Sequence, residues 1–280
     1  MLTRRQLVSL IALAGVSGFY SFGNFLRSVP QMDGLVPADL HTHVGRGYDE
    51  EQIAEKLSQG LVGLSEDNLH SGVLSINDVV NYNGAQWIEK GFLGRIEYHG
   101  HTGYFAKAQE VGSKHHILAL FCPKRLDDYE DPRKAVEDIK KLGGLAILNH
   151  PYIVKPNGRA PPRLVNAQEE KILDELCQMV DEIEVFNASA LSLTPLAIGE
   201  ANLKAQELLR KANQNGYSFK GIAVSDAHRM LRQILAAGIL LEKDKISVEG
   251  IKDSIRTRNF GRYEQYISRA ELLRGYLIQH

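Results

Sequence analysis

Two patterns of apolar and polar residues alternate along the chain after about residue 36. Short apolar runs predict strands near residues 36–42, 61–65, 93–98, 116–121, 144–149, 182–186, 219–224 and 236–241. Longer segments, in which apolar residues recur every three or four positions, predict helices near 50–59, 75–90, 132–142, 166–180, 198–215 and 247–258. Strands that alternate with helices favour a parallel α/β architecture.

Composition sets broad limits on the class of protein. The chain has 280 residues, 44% of them hydrophobic and 24% charged, which is typical of a globular protein and suits one α/β barrel. The formal net charge is −1, so overall charge gives no case for binding nucleic acid. Two cysteines, Cys122 and Cys177, do not make a disulfide framework, and we expect buried free thiols.

The first residues of the chain differ from the rest. Arg4 and Arg5 precede an uncharged stretch from residue 6 to 26, as in the basic and apolar regions of an export signal. The order Thr-Arg-Arg-Gln-Leu-Val is similar to a twin-arginine signal, and residues 6–26 are long enough to contact or span a membrane. We therefore divide the chain into an export signal or membrane anchor (1–33), a barrel domain (34–262) and a C-terminal extension (263–280). An amphipathic helix packed on the domain is the alternative for the first segment.

Residues able to bind a metal stand at the ends of nearly all the predicted strands. They are His41, His43, Glu66, Asp67, Glu97, His116, His150, Glu184, Asp226 and His228. In barrels of parallel strands the chemistry sits at the carboxyl ends of the strands. The sequence therefore predicts a metal site at that end of the barrel.

The stretch "DLHTH" gives the first candidate ligands. Residues i and i+2 of a strand point to the same face, so His41 and His43 can reach one cation. Asp39 has the same parity and is predicted to hold an imidazole N–H, which would fix the orientation of that ring. Asp226 and His228 in "SDAH" repeat the spacing. Structural histidines with satisfied hydrogen bonds are the alternative for any one of these motifs.

The types of residue limit which metal ions can bind and suggest further residues that contact the substrate. No thiol lies among the candidates, and imidazoles mixed with carboxylates suit Mn²⁺, Zn²⁺ or Fe²⁺ in an open catalytic site with more than one ion. His99 and His101 share strand parity with Glu97, and Arg229 follows "SDAH", so these three are candidate substrate contacts. Exposed, solvated side chains are the alternative for all three.

Seven motifs in order carry a family resemblance. The set "DLHTH", "LSEDN", "GRIE", "HHILAL", "GGLAILNHP", "DEIEVFNAS" and "VSDAH", within residues 36–260, resembles the PHP superfamily (polymerase and histidinol phosphatase domain). The resemblance implies an α/β fold, a distorted (β/α)7 TIM-like barrel with the metal site at the carboxyl ends of the strands. It also implies two or three divalent ions and hydrolysis of phosphoesters.

The resemblance also implies a set of ligands. His41, His43, Glu97 and Asp226 would hold one ion, and Glu97 would bridge to a second ion held by His116 and His150. A third ion would use His228 and Asp67. The family pattern Thr-Asp-His-Asn is replaced by "SEDN", which puts Asp67 where the pattern has histidine. The third site is therefore expected either to have an altered metal preference or to be weak.

These observations lead to one functional hypothesis with two alternatives. We expect a metal-dependent phosphoesterase that acts through a metal-activated water, with no further catalytic side chain, on a small-molecule phosphoester and with no nucleic-acid domain. A metal-dependent amide or ester hydrolase of the cell envelope is the first alternative. A degenerate, non-catalytic barrel that serves as a binding module is the second.

The export hypothesis gives a first test. Replacing Arg4 and Arg5 together by lysine keeps the basic charge but removes the twin-arginine pair, so we expect the protein to stay in the cytoplasm. Immunoblots of cell fractions would measure this. A double variant that fractionates like the wild type would contradict the twin-arginine assignment.

Overall fold

The computed structural model describes residues 29–30, 32–68, 72–154, 163–189, 200–228 and 231–265. The chain divides into two compact units, Met1–Pro30 and Gln31–His280, and nearly all the described residues belong to the second. Most of the predicted export segment and most of the predicted C-terminal extension lie outside the described residues. Among the helices that are described, none is long and apolar enough to span a membrane.

Strands and helices follow one another much as the sequence predicts. The strands are β1 (Leu35–Thr42), β2 (Leu61–Glu66), β3 (Ala85–Glu89), β4 (Leu93–Tyr98), β5 (His101–Val111), β6 (Ile117–Leu120), β7 (Leu145–Leu148), β8 (Ile153–Val154), β9 (Arg163–Leu164), β10 (Glu182–Asn187), β11 (Ile222–Val224), β12 (Gly238–Glu242) and β13 (Gly261–Tyr263). The α-helices are α1 (Glu50–Leu57), α2 (Ile76–Val79), α3 (Pro132–Lys141), α4 (Ala167–Cys177), α5 (Glu200–Gln214) and α6 (Val248–Arg256).

Seven of these strands form a closed ring. Their order is β1, β2, β5, β6, β7, β10 and β11, and the pairs β1–β2, β2–β5, β7–β10 and β10–β11 are parallel. The ring closes where Thr42 bridges Ala227 in parallel. The backbone N–H of His43 donates to Ala227 O at 2.8 Å, and that of Asp226 donates to His41 O at 3.0 Å. The fold is a distorted seven-stranded α/β barrel, and the predicted fold class is confirmed.

One strand of the ring runs against its neighbours. β6 is antiparallel to both β5 and β7. Residues 112–116 connect β5 to β6, and a parallel crossover needs about a dozen residues or more, so this short connection forces a reversal. The start of β6 therefore lies at the same end of the barrel as the carboxyl ends of the parallel strands. His116, which directly precedes β6, is brought to that end.

The sequence prediction is wrong at residues 80–90 and omits the strand at 101–111, although its strand at 93–98 coincides with β4. Of the predicted helix 75–90 only α2 forms. It ends at Val79, and a turn at Asn83-Gly84, with Gly84 at φ +80°, then leads into β3. β3 and β4 are antiparallel, and β4 pairs with the first half of β5. The long strand β5 is absent from the predicted elements, and this omission bears directly on the metal site.

Apolar side chains cover both faces of the ring strands. On one face they pack against helices α3, α4 and α5, and the residues of this layer include Ile117, Val136, Ile139, Leu148, Leu173, Leu176, Ile183 and Leu208. The opposite face of the same strands belongs to a second cluster, with Leu118, Leu120, Leu145, Ile147, Ile222 and Val224. Cys122 and Cys177 are buried free thiols, as the sequence predicts. Burial on both faces explains why these strands read as continuous apolar runs.

Strand β1 contains an irregularity just before its histidines. Asp39 pairs with Val62 and Thr42 pairs with Leu64, so three steps on β1 face two steps on β2. One extra residue of this kind reverses the alternation of faces along a strand. Gly63 lies opposite the irregularity, and a Cβ atom there would be 2.1 Å from Leu40 O. The close approach of the two backbones therefore requires glycine at this position.

Gly63→Ala tests the importance of this approach. The added methyl group would push the two strands apart, and we expect a loss of about 1–3 kcal/mol in the free energy of unfolding, measured with urea. Gly47→Ala is the control, because no atom lies within 4 Å of a Cβ there; it should change stability by less than about 0.5 kcal/mol. Equal unfolding midpoints for the two variants would show that β1 and β2 do not need this contact.

Candidate metal centre

Ionisable side chains converge at one end of the barrel and form the candidate metal centre. Its members are His41, His43, Asp67, Glu110, His116, His150, Asp226 and His228. All except His228 are buried. They include three overlapping groups, and in each group the ligand atoms lie within 4.8 Å of one another.

His41, His43 and Asp226 form the first group. The Nε2 atoms of the two histidines are 3.1 Å apart, and Asp226 Oδ1 lies 3.6 Å from His41 Nε2 and 3.7 Å from His43 Nε2. His228 Nδ1 approaches the same Oδ1 at 3.1 Å. Three ring nitrogens therefore surround one carboxylate oxygen.

Glu110, His116 and His150 form the second group. Glu110 Oε1 lies 2.7 Å from His116 Nδ1 and 2.9 Å from His150 Nε2. Its other oxygen, Oε2, is 3.5 Å from His43 Nε2. Glu110 is the last residue but one of β5, so its carboxylate reaches across the barrel between β1 and β7.

The third group joins the other two. It consists of His43, Asp67 and Glu110, and His43 Nδ1 lies 3.2 Å from Asp67 Oδ2. His43 is shared with the first group and Glu110 with the second. Adjacent ions held in these groups would share ligands, which is the arrangement of multinuclear sites.

Unusual backbone angles direct two of the candidate ligands. His150 has φ 23° and Asp226 has φ 50°, although neither is glycine. Left-handed angles of this kind cost about 1–3 kcal/mol each and cluster at functional sites. At both positions the chain has just left a strand, β7 or β11, and the angle turns it so that the side chain faces the cluster.

The electrostatic field of the cluster is strongly negative around His41. Burial alone would lower the pKa of His41, but the carboxylates of Asp226, Glu184 and Glu110 outweigh burial and raise it to about 10. Burial together with the nearby His228 lowers the pKa of His43 to about 4. A neutral His43 offers a lone pair, and the field at His41 favours positive charge. Both properties suit the binding of cations.

The donor set fits divalent metal ions. Imidazole nitrogens and carboxylate oxygens are ligands for Zn²⁺, Mn²⁺ and Fe²⁺. Close by, His150 Nδ1 and both amide atoms of Asn149 are buried without a hydrogen-bond partner in the described structure. Buried polar atoms are normally paired, so these atoms are suited to bound water or a ligand at the site. The cluster is therefore compatible with a metal centre.

Glu97, the predicted bridging ligand, does not lie in this cluster. It sits on β4, its side chain is 55% exposed, and its carboxylate is 3.6 Å from Arg95 Nη2. Glu110 stands where the bridge was expected. The strand that carries it was missed, although the alternating stretch "YFAKAQEV" before Gly112 could have revealed a strand that ends in a carboxylate.

Asp39 does not hold an imidazole either. Its Oδ1 accepts from the backbone N–H of Ser225 at 3.0 Å and its Oδ2 from that of Leu235 at 2.8 Å. The extra residue on β1 places Asp39 and His41 on different faces, which invalidates the parity argument. Glu184 instead contacts the imidazole of His41, as described below.

The predicted substrate contacts are not brought to the cluster. His99 forms a tight turn with Gly100, both at positive φ, between β4 and β5. His101 is exposed at the start of β5, whereas Glu110 lies near the other end of that strand. Arg229 lies outside the described residues. His99 and His101 therefore have no contact with the candidate metal centre.

No family model and no curated protein matches this chain. Two similar solved structures are the lesion-specific endonuclease PfuEndoQ from Pyrococcus furiosus and an endonuclease Q in complex with a 27-mer duplex substrate with an abasic lesion. Sequence identities are 17% and 14%, TM-scores 0.49 and 0.46, and the coverage of this chain 81% and 80%. The chain spans 57% of the length of each.

One prediction is corrected by these comparisons. The sequence led us to expect a small-molecule substrate and no nucleic-acid domain. Both solved structures are instead endonucleases, and one is a complex with a 27-mer duplex substrate. A net charge near zero describes the chain as a whole and says little about one face or one site.

Asp67 gives the sharpest test of the third group. Asp67→Asn keeps the shape but removes a charge beside His43, so we expect the loss of one bound Mn²⁺ per chain in calorimetric titrations. The control is Glu66→Gln, because the carboxylate of the adjacent Glu66 is bound to Arg125 Nη1 at 2.8 Å and belongs to none of the groups. If both variants bind Mn²⁺ as the wild type does, Asp67 is not a ligand.

Proposed function

We propose that this chain is a metal-dependent hydrolase of phosphoester bonds, with two or three divalent ions in the candidate metal centre. The observation that supports this most is the sharing of His43 and Glu110 between adjacent groups. Ligands shared in this way hold ions next to one another. Neighbouring ions suit the hydrolysis of a phosphoester, in which the attacking and leaving oxygens both need stabilisation.

The residues of the chain have distinct tasks in this proposal. His41, His43 and Asp226 would hold one ion and His116 and His150 another, and Glu110 lies between these two sets of residues. Asp67 and His228 stand where they can complete a third site. The ions would lower the pKa of a bound water and neutralise charge on the phosphoryl oxygens. No lysine or cysteine nucleophile is required.

The surroundings of the site bear on the substrate. A recess beside His43 and His228 is lined by Val44, Tyr48 and Leu231, together with Gly45, Ala227 and Ile234. The recess has room for about one water molecule. We propose a nucleic-acid phosphodiester, whose phosphate group would be held by the ions. Export or tethering through residues 1–33 remains part of the proposal.

The test uses the full chain loaded separately with Mn²⁺, Zn²⁺ and Fe²⁺, and duplex oligonucleotides with and without an abasic site. We expect strand cleavage, and we expect Glu110→Gln to lower its rate more than roughly 100-fold, because the substitution removes the charge between two ions. The control Glu97→Gln changes an exposed carboxylate outside the cluster and should cleave at the wild-type rate.

Two results would contradict the proposal. The first is the absence of cleavage of any duplex by protein that contains bound metal. The second is equal cleavage by wild type and Glu110→Gln. Hydrolysis of an aryl ester or amide by the same preparations, without cleavage of phosphodiesters, would instead support the amide or ester hydrolase alternative.

A further inference from the structure

A buried amide links two carboxylates behind the candidate metal centre. Asn187 Nδ2 donates to Glu184 Oε1 at 2.8 Å and to Asp226 Oδ2 at 3.0 Å. Asn187 and Glu184 are 1% exposed, and neither belongs to the three groups of ligand atoms. Two hydrogens of one amide therefore fix the orientation of two carboxylates.

Glu184 also contacts His41 and helps to orient its imidazole ring. Its second oxygen, Oε2, accepts from His41 Nδ1 at 3.2 Å. A proton held on Nδ1 leaves the Nε2 lone pair of His41 available to a metal ion. Nε2 faces the cluster, 3.6 Å from Asp226 Oδ1 and 3.6 Å from Glu110 Oε1. Asn187 and Glu184 thus lie behind one histidine ligand and one carboxylate ligand of the same group.

The orientation of the Asn187 amide is itself determined by its surroundings. Its Oδ1 accepts from the backbone N–H of Ser189 at 2.9 Å. Its backbone N–H donates to Asn202 Oδ1, and its backbone O accepts from Asn202 Nδ2, both at 3.1 Å. A rotated amide would turn an oxygen towards two carboxylates and an NH₂ group towards a backbone N–H. The direction of donation from Asn187 is therefore unambiguous.

We infer that Glu184 and Asn187 are positioning residues of the metal centre, which hold His41 and Asp226 in the geometry that binds the ion. This inference rests on the proposed metal centre but not on its substrate. Neither residue contacts the reacting atoms. Their task is to keep the His41 proton on Nδ1 and the Asp226 Oδ1 atom directed at the histidines.

Glutamine at position 184 has no orientation that preserves this chain of hydrogen bonds. With its oxygen towards His41, its NH₂ group meets the NH₂ group of Asn187, which is also a donor. With its oxygen towards Asn187, its NH₂ group meets His41 Nδ1, which must then lose its proton and let it move to Nε2. The second arrangement removes the lone pair that binds the metal.

The experiment compares Glu184→Gln with Glu182→Gln in the full chain. Glu182 is a buried carboxylate at the start of the same strand, where it accepts from the backbone N–H groups of Ile183, Lys220 and Gly221. Co²⁺ is the probe, because calorimetry measures its affinity and its visible spectrum reports the coordination geometry. We expect Glu184→Gln to bind Co²⁺ roughly 10–100-fold more weakly with a changed spectrum. Glu182→Gln should keep the wild-type affinity and spectrum even if its melting temperature falls.

The outcomes separate this inference from the proposed function. Wild-type Co²⁺ affinity and spectrum in Glu184→Gln would overturn the positioning role while leaving the metal centre intact. Failure of the wild type to bind Co²⁺ would overturn the metal centre itself. Should Glu184→Gln not fold, Asn187→Ala removes both donated hydrogen bonds and should also weaken Co²⁺ binding roughly ten-fold. Unchanged binding by Asn187→Ala would equally reject the inference.

Discussion

The concentration of buried negative charge at one end of the barrel is the constraint on which the site depends. Asp67, Glu110, Glu184 and Asp226 are all buried there, within a few ångströms of histidine nitrogens. Isolated buried carboxylates are costly, so they must be paired, protonated or bound to cations. The raised pKa of His41 shows how strongly the site favours positive charge. Divalent ions would satisfy that demand, and imidazoles are among their usual ligands.

The irregular features of the barrel bring these candidate ligands together. Reversal of β6 brings the start of a strand, and with it His116, to the end where parallel strands finish. An extra residue on β1 turns His41 and His43 towards the cluster while Asp39 holds the backbone after β11. Left-handed φ angles at His150 and Asp226 aim two more ligands. A regular barrel would not bring the same sequence positions together.

Much of this arrangement could be predicted from the sequence, for physical reasons that also explain the errors. Histidines and acids next to apolar runs, such as His41 or Asp226, could be placed because the carboxyl ends of barrel strands share one edge. Glu110 was missed because Lys107 and Gln109 interrupt the apolar pattern of β5. Asp39 was expected to contact an imidazole because its position in the sequence suggested that it shares a face with His41. The register shift that separates their faces depends on the pairing of β1 with β2, and the sequence of β1 alone does not reveal it. Only the structure shows which carboxylate supports His41.

The central claim is that this cluster binds divalent metal ions. Anomalous X-ray diffraction from Mn²⁺-soaked crystals, recorded on both sides of the manganese absorption edge, would test it most directly. The account predicts at least two Mn²⁺ peaks inside the barrel end, one contacted by His41, His43 and Asp226 and one by His116 and His150, with Glu110 between them. Crystals that show Mn²⁺ at surface carboxylates alone, with no peak among these histidines, would contradict it.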